Sequence, residues 1–211
     1  MTSRRPISAR ESGWARRLAT RLAASAITPN QISQASMAFA LLGFLCFWAT
    51  THVGAFLGAL LLILAAAAIQ ARLICNLLDG MVAVEGGKSS PTGPFWNEAP
   101  DRVADTLLLW GAGIAAHQPA LGLACAAAAI ATAYLRELGR AEGFPPDFSG
   151  PMAKPHRMAA LTAGSSLAAV LTFAYAPQTT LLWTLWIILV GTALTIARRS
   201  HRLLAALSNR L

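Results

Sequence analysis

A long apolar run from about Gly54 to Leu78 constrains the fold of this chain more than any other feature. Its strongly polar residues, Gln70, Arg72 and Asn76, all lie in the last turns. At about 1.5 Å per residue, a helix of this length crosses roughly 30 Å of hydrocarbon. Because a backbone in lipid must satisfy its own hydrogen bonds, the run predicts a membrane helix whose C-terminal end reaches the interface.

The composition supports a membrane protein with one domain. Of 211 residues, 55% are hydrophobic and only 12% are charged, which is atypical of soluble domains. The formal net charge is +8, but the basic residues flank apolar runs and are not interleaved with exposed aromatic residues. This distribution argues against a nucleic-acid partner and favours anionic membrane lipids.

Five further runs complete a prediction of six membrane helices. We place the six at about 32–50, 54–78, 97–116, 120–138, 158–175 and 180–197. We therefore expect an all-α integral membrane protein, with a six-helix domain over residues 27–200 and a basic cytoplasmic tail over residues 201–211.

Residues 1–26 predict an amphipathic helix that lies in the membrane interface. Between about Ser8 and Ser25, arginines alternate at helical spacing with Trp14, Leu18 and Leu22. The first membrane helix follows, where Thr28 is a candidate N-cap and Pro29 suits the first helical position, since proline lacks the N–H that would be unpaired there.

The positive charges predict the orientation in the membrane. With six spans, all 17 Lys and Arg fall on one side, and the turns at His52, His117 and Gln178 carry none. By the positive-inside rule, both termini are cytoplasmic. We expect an integral protein of a bacterial inner membrane.

Acids and amides gather where the second run ends and the third begins. Asn76, Asp79, Gly80 and Ala83 share one helical face, and a second face carries Asn97, Asp101 and Asp105. Charge at this depth is costly unless it has a use. The oxygen ligands suit Mg²⁺, Mn²⁺ or Ca²⁺ and not Zn²⁺, because no His or Cys joins them.

Basic residues on the same side could hold phosphate oxygens. They are Arg136, Arg140, Lys154 and Arg157. The alternative is structural: Asp101 with Arg102, Glu98 with Arg102, or Asp105 with Arg72 could form ion pairs at a helix end.

This arrangement resembles the CDP-alcohol phosphatidyltransferase family, whose motif is D-x2-D-G-x2-A-R-x8-G-x3-D-x3-D. The chain keeps every spacing, as N76-x2-D79-G80-x2-A83-V84-x8-G93-x3-N97-x3-D101. Three motif residues differ, because asparagines replace the first and third aspartates and Val84 replaces the arginine. The resemblance extends to the Thr28-Pro29 helix start, the end of the fourth span and the basic loop at Lys154.

The resemblance implies transfer of a phosphatidyl group from a CDP-linked lipid such as CDP-diacylglycerol to a small alcohol, with release of CMP. It implies one or two Mg²⁺ or Mn²⁺ ions, held by Asp79 and Asp101 with the amide oxygens of Asn76 and Asn97. Asp101 would also be the general base. Gly80, Ala83 and Gly93 would lie with Asp79 at the nucleotide, and Arg136, Arg140 and Lys154 at the phosphate or the acceptor.

Two hypotheses remain open. In the first, the chain is a transferase in which Glu98 and Asp105 restore the charge that the asparagines lack, with Asp105 binding the metal from one helical turn deeper. In the second, it is an inactive relative that binds lipid or serves as a membrane scaffold. The acceptor alcohol and homodimer formation stay open.

Overall fold

The computed structural model describes residues 12–210, and within them it contains seven α-helices and no strand. The helices are α1 (Gly13–Ala24), α2 (Pro29–Ala49), α3 (Ala55–Glu85), α4 (Gly93–Ala115), α5 (Pro119–Ala141), α6 (Lys154–Leu171) and α7 (Pro177–Ser208). A 3₁₀ turn, Thr50–His52, joins α2 to α3. The expected all-α class is confirmed.

Four of these helices are long and apolar enough to cross a membrane, namely Pro29–His52, Ala55–Val84, Pro119–Ala141 and Pro177–Ser208. The other two helices at predicted spans, α4 and α6, are more polar. Charged residues crowd the first half of α4, and α6 has only 18 residues and begins with Lys154. The count of six spans therefore stays a prediction.

The helices extend beyond the apolar runs that predicted them. Helix α3 continues past Leu78 to Glu85, so Asp79, Gly80 and Ala83 lie on its last turns. Helix α4 begins at Gly93, which shortens the connecting loop to residues 86–92. Helix α7 runs on to Ser208, and much of the expected basic tail is helical. Polar residues form helix as readily as apolar ones, so hydropathy marks the lipid boundary and not the helix end.

The start of α2 confirms the expected cap. The Thr28 hydroxyl accepts from the Gln31 N–H at 3.2 Å, and the Thr28 N–H donates to Gln31 Oε1 at 2.9 Å. Together they form a capping box, with Pro29 in the first turn. The cap fixes where α2 begins beside the polar cluster.

Helix α2 packs against both α3 and α4, which make little direct contact with each other. Helix α6 packs on α3, and α7 packs on α5 and α6. The core consists of fully buried apolar side chains, among them Phe47, Leu62, Ile69, Leu108, Met158 and Leu185. The polar ends of α3 and α4 can therefore face one space that α2 and α6 border.

Helix α1 lies against α3 through small residues. Ala15 and Ala19 are buried in a cluster with Leu77, Leu78 and Met81. Trp14 is exposed, although the helical pattern had grouped it with the apolar face. Alanine permits close approach of two helices, whereas an indole suits the membrane interface.

Candidate functional site

Asp79 lies at the end of α3 and is buried, with 5% of its surface exposed. The Ser33 hydroxyl of α2 donates to Asp79 Oδ2 at 2.7 Å. Among the described residues, no Lys, Arg or His forms an ion pair with this carboxylate. A buried carboxylate without a cation is costly, so Asp79 is suited to receive one.

Asp101 lies on α4 and is surrounded by donors. The Asn76 amide and the Arg72 guanidinium both donate to Asp101 Oδ1, the latter at 3.1 Å. The Lys154 ammonium, at the first turn of α6, donates to Oδ2. Side chains of α3 and α6 thus meet at one carboxylate of α4.

Asp105 lies one turn deeper on α4 and is 1% exposed. Its Oδ1 pairs with Arg72 at 2.8 Å and its Oδ2 with Arg157 at 3.1 Å. Arginine therefore satisfies both oxygens. The geometry favours the ion-pair alternative for Asp105 over the hypothesis that it supplies a metal ligand.

Arg72 is completely buried and joins the two aspartates through one nitrogen, Nη2. Its Nε and Nη1 are buried without a hydrogen-bond partner, as is Nε of Arg157. The fourth such atom among the described residues is the acceptor Oδ1 of Asn76. Unpaired buried polar atoms of this kind are rare in folded proteins and mark a place where water, an ion or a ligand binds.

The loop of residues 142–153 positions Lys154, and α7 anchors this loop. Arg199 donates to the Ser149 carbonyl at 3.0 Å and to the Thr132 carbonyl at 2.7 Å. The Met152 N–H donates to Thr195 Oγ1 at 3.0 Å. The position of the Lys154 ammonium thus depends on helix α7, far away in sequence.

Asp147 also links the loop of residues 142–153 to α7. It lies 3.5 Å from Arg202 and accepts from the Ser149 N–H at 2.8 Å. Partial burial alone would raise the pKa of Asp147, but the hydrogen bonds from Ser149 and the charges of Arg202 and Arg199 outweigh burial and lower it. The carboxylate is therefore ionised at neutral pH and holds α7 to the loop.

The space beside the carboxylates is open at the glycines. A Cβ built on Gly80 would meet no atom within 4 Å, and one on Gly93 would meet only Ser90 Oγ, at 3.8 Å. Ala83 is half-buried on the same helix as Gly80, and Asn97 is exposed one turn before Asp101. A flat ligand could approach the backbone of α3 at Gly80 from this side.

Arg136 and Arg140 form a separate ion network. Arg136 pairs with Glu98 of α4 and with Glu137, and Arg140 pairs with Glu137 at 2.9 Å. Glu98 also pairs with Arg102, which is one of the ion pairs that the sequence suggested. These arginines do not pair with Asp101, whereas Lys154 does.

Sequence reasoning missed Ser33 and Thr132. Ser33 donates to Asp79, and Thr132 Oγ1 lies 3.5 Å from Arg157 Nη1. Ser33 and Ser36 are both buried at a spacing of three residues in an otherwise apolar helix. This spacing was the available signal that one face of α2 borders a polar site.

The chain matches no protein-family model, and no curated protein matches it. Its arrangement of helices is nevertheless shared with solved structures of a phosphatidylinositol phosphate synthase. These are structures of PgsA1 from Mycobacterium tuberculosis. The one with CDP-DAG bound superposes with a TM-score of 0.73 at 21% identity, over 91% of this chain and 94% of that chain.

The PgsA1 structure in complex with manganese and citrate gives a TM-score of 0.71 at 21% identity, over 90% of this chain and 88% of that one. The apo form gives 0.67 at the same identity, over 87% and 93%. At this identity the likeness establishes a common fold.

Proposed function

We propose that the chain is a membrane transferase that moves a phosphatidyl group from a CDP-linked lipid to a small alcohol and releases CMP. The observation that carries the proposal is that Asn76, one turn before Asp79 on α3, donates to Asp101 of α4, which brings the two helices together beside open space at Gly80. The spacing of the family motif and the fold shared with a CDP-DAG-bound synthase support it.

The donor atoms fit one divalent cation. The Asp79 carboxylate has no cation, and the unpaired amide oxygen of Asn76 lies one helical turn away. Within residues 12–210 no three His, Cys, Asp or Glu side chains form a metal-binding group. Asp79 and Asn76 would therefore hold Mg²⁺ or Mn²⁺ together with oxygens of the substrate or water, and Asn97 could approach from α4. When bound, such an ion would supply positive charge that polarises the diphosphate and stabilises the departing CMP.

Residues of this chain would bind the nucleotide and the phosphate and accept the proton. The nucleotide would lie against Gly80 and Ala83, where the backbone is open, with Gly93 at the edge. Lys154 would bind a phosphate oxygen with one of its three N–H donors while another stays on Asp101 Oδ2. The second lone pair of that oxygen would accept the proton of the alcohol.

The reaction requires no oxidant or reductant. The alcohol oxygen forms a bond to the phosphorus that carries the lipid, and the bond from that phosphorus to the CMP oxygen breaks. The proton of the alcohol goes to Asp101, and CMP leaves with the electron pair. Arg136 and Arg140, in the last turns of α5, would attract the phosphate of the lipid or of the acceptor.

Release of CMP tests the proposal. Purified protein incubated with CDP-diacylglycerol, Mg²⁺ or Mn²⁺ and a panel of small alcohols should release CMP with at least one alcohol. Asp79→Ala and Asp101→Ala should each abolish release, because the first removes the proposed charged metal ligand and the second the proposed general base. Lys88→Ala is the control, because Lys88 bonds to the backbone carbonyls of Ser25 and Ile27 and to neither aspartate, and it should retain activity.

A second candidate, an inactive lipid-binding or scaffold protein, rests on one observation. Lys154, Arg72 and Asn76 already occupy both oxygens of Asp101. Binding of CDP-diacylglycerol without CMP release for any alcohol would establish this candidate. Full activity of the two aspartate variants would refute the proposed site.

A further inference from the structure

We propose that this site takes a single divalent ion, and that the Lys154 ammonium supplies the second positive charge that contacts the donor's diphosphate. The inference rests on the proposed function. It concerns how charge is divided between a bound ion and the chain's own cations.

The first argument is the charge of the cluster. Three carboxylates, Asp79, Asp101 and Asp105, share the site with three cations, Arg72, Lys154 and Arg157. The formal charges cancel. One divalent ion would leave a net charge of +2 in a region of low dielectric constant, and two would leave +4, which is far harder to accommodate.

The second argument is the number of side-chain oxygens that no cation of the chain already holds. Arg72 and Asn76 take Oδ1 of Asp101, and Lys154 takes Oδ2. Arginine takes both oxygens of Asp105. Of these aspartates only Asp79 has no salt-bridge partner among the described residues, because its oxygens accept from the neutral Ser33 hydroxyl and Gly80 N–H. Asn76 adds an unpaired buried oxygen one turn away. These two ligands suffice for one ion that shares substrate oxygens and not for two.

The third argument is that Lys154 is held in place before any ligand binds. It begins α6 directly after the loop that Arg199 and Thr195 fasten to α7. Its side chain is 22% exposed, so it is accessible from the open space. An ammonium group has three donors, so it can bridge Asp101 and a phosphate oxygen as a bound ion would.

A consequence is that the ion and the nucleotide bind together. Without substrate, the neutral cluster has little attraction for a divalent ion. The diphosphate of a CDP-linked lipid brings negative charge, which offsets the ion and gives Lys154 a partner. We expect the affinity for Mn²⁺ to rise at least tenfold when CDP-diacylglycerol is present.

Counting bound ions tests the inference directly. The free Mn²⁺ signal in electron paramagnetic resonance is titrated with the full-length protein in detergent, with and without saturating CDP-diacylglycerol. The wild type should bind one Mn²⁺ per chain with the nucleotide. Two ions per chain, or none, would overturn the inference.

Two sets of variants sharpen the count. Lys154→Gln should weaken CDP-diacylglycerol binding at least tenfold and still bind one ion, whereas Lys154→Arg should preserve affinity. Lys88→Gln is the control, because Lys88 bonds to the backbone of Ser25 and Ile27 away from the aspartates. Wild-type affinity in Lys154→Gln would refute the role of the ammonium.

Added carboxylates should raise the ion count. The double variant Asn76→Asp, Asn97→Asp should bind two Mn²⁺ per chain. If it does not fold, the single variant Asn97→Asp, at an exposed position, is measured in its place. A count of one in every folded variant would overturn the charge argument.

CMP release from the same wild-type samples separates the two proposals. One bound ion without CMP release refutes the transferase alone. Two bound ions with CMP release refute this inference alone.

Discussion

Asp105 shows how a carboxylate can share a helical face with a motif aspartate and have other partners. Its spacing from Asp101 placed it on the metal-binding face, but Arg72 and Arg157 hold both of its oxygens. The guanidinium groups come from α3 and α6, so the pair joins three helices in the interior. The pairs hold α4, which carries Asp101, to α3 and α6, and they favour a structural role for Asp105.

Asp105→Asn should destabilise the protein and leave the number of bound ions unchanged. Removing one partner of a buried ion pair costs about 3–5 kcal/mol, because the remaining charge stays buried. The thermal midpoint in detergent and the Mn²⁺ count with CDP-diacylglycerol measure the two effects.

Asp147→Asn is the comparison, because it removes a carboxylate from an ion pair that is partly exposed. Its midpoint should fall far less. A normal midpoint for Asp105→Asn with a lower affinity for Mn²⁺ would restore Asp105 as a ligand.

At the scale of the elements, the site depends on how closely helices approach each other. Helices α4 and α5 are in contact at Gly113 and Gly122, where a Cβ on Gly122 would lie 2.5 Å from the Leu109 carbonyl oxygen and 2.9 Å from the Gly113 Cα. These are backbone atoms and cannot move aside alone. The glycines therefore fix the distance between α4, which carries Asp101, and α5.

Gly122→Ala should lower stability by about 1–3 kcal/mol, since an extra methyl group forces the two helices apart. Gly58→Ala is the control, because a Cβ there meets no atom within 4 Å and alanine favours helix. Thermal unfolding in detergent compares the two variants. Equal thermal midpoints for the two variants would show that α4 and α5 leave room for a methyl group at Gly122.

At the scale of the whole molecule, the asymmetry of charge remains the basis of orientation. Every Lys and Arg lies on the side that carries Asp79 and Asp101 if α4 and α6 cross the membrane as the other four long helices can. The site would then face the cytoplasm, where a nucleotide-linked lipid is accessible to soluble acceptors.

Reporter fusions or cysteine labelling should place both termini in the cytoplasm. The reason is the positive-inside rule, which keeps clustered Lys and Arg from crossing the membrane. Fusions at the turns near His52 and His117 should report the opposite side and serve as internal controls. A C-terminus outside would refute the predicted topology of six spans with both termini inside.

The sequence alone determined the all-α class, the start of α2 and the faces that carry Asp79 and Asp101. These features are local: apolar runs, a capping box and a helical repeat each depend on residues within a few turns of one another. The convergence of Asn76 with Asp101 followed from the same spacing.

Only the tertiary structure decided which charges pair. Lys154 reaches Asp101 because α7, through Arg199 and Thr195, holds the loop before α6. Arg157 reaches Asp105 for the same reason, and Ser33 reaches Asp79 because α2 lies between α3 and α4. A guanidinium or ammonium group on a long side chain can find many partners, so its choice depends on helix packing between residues far apart in sequence and not on any local pattern.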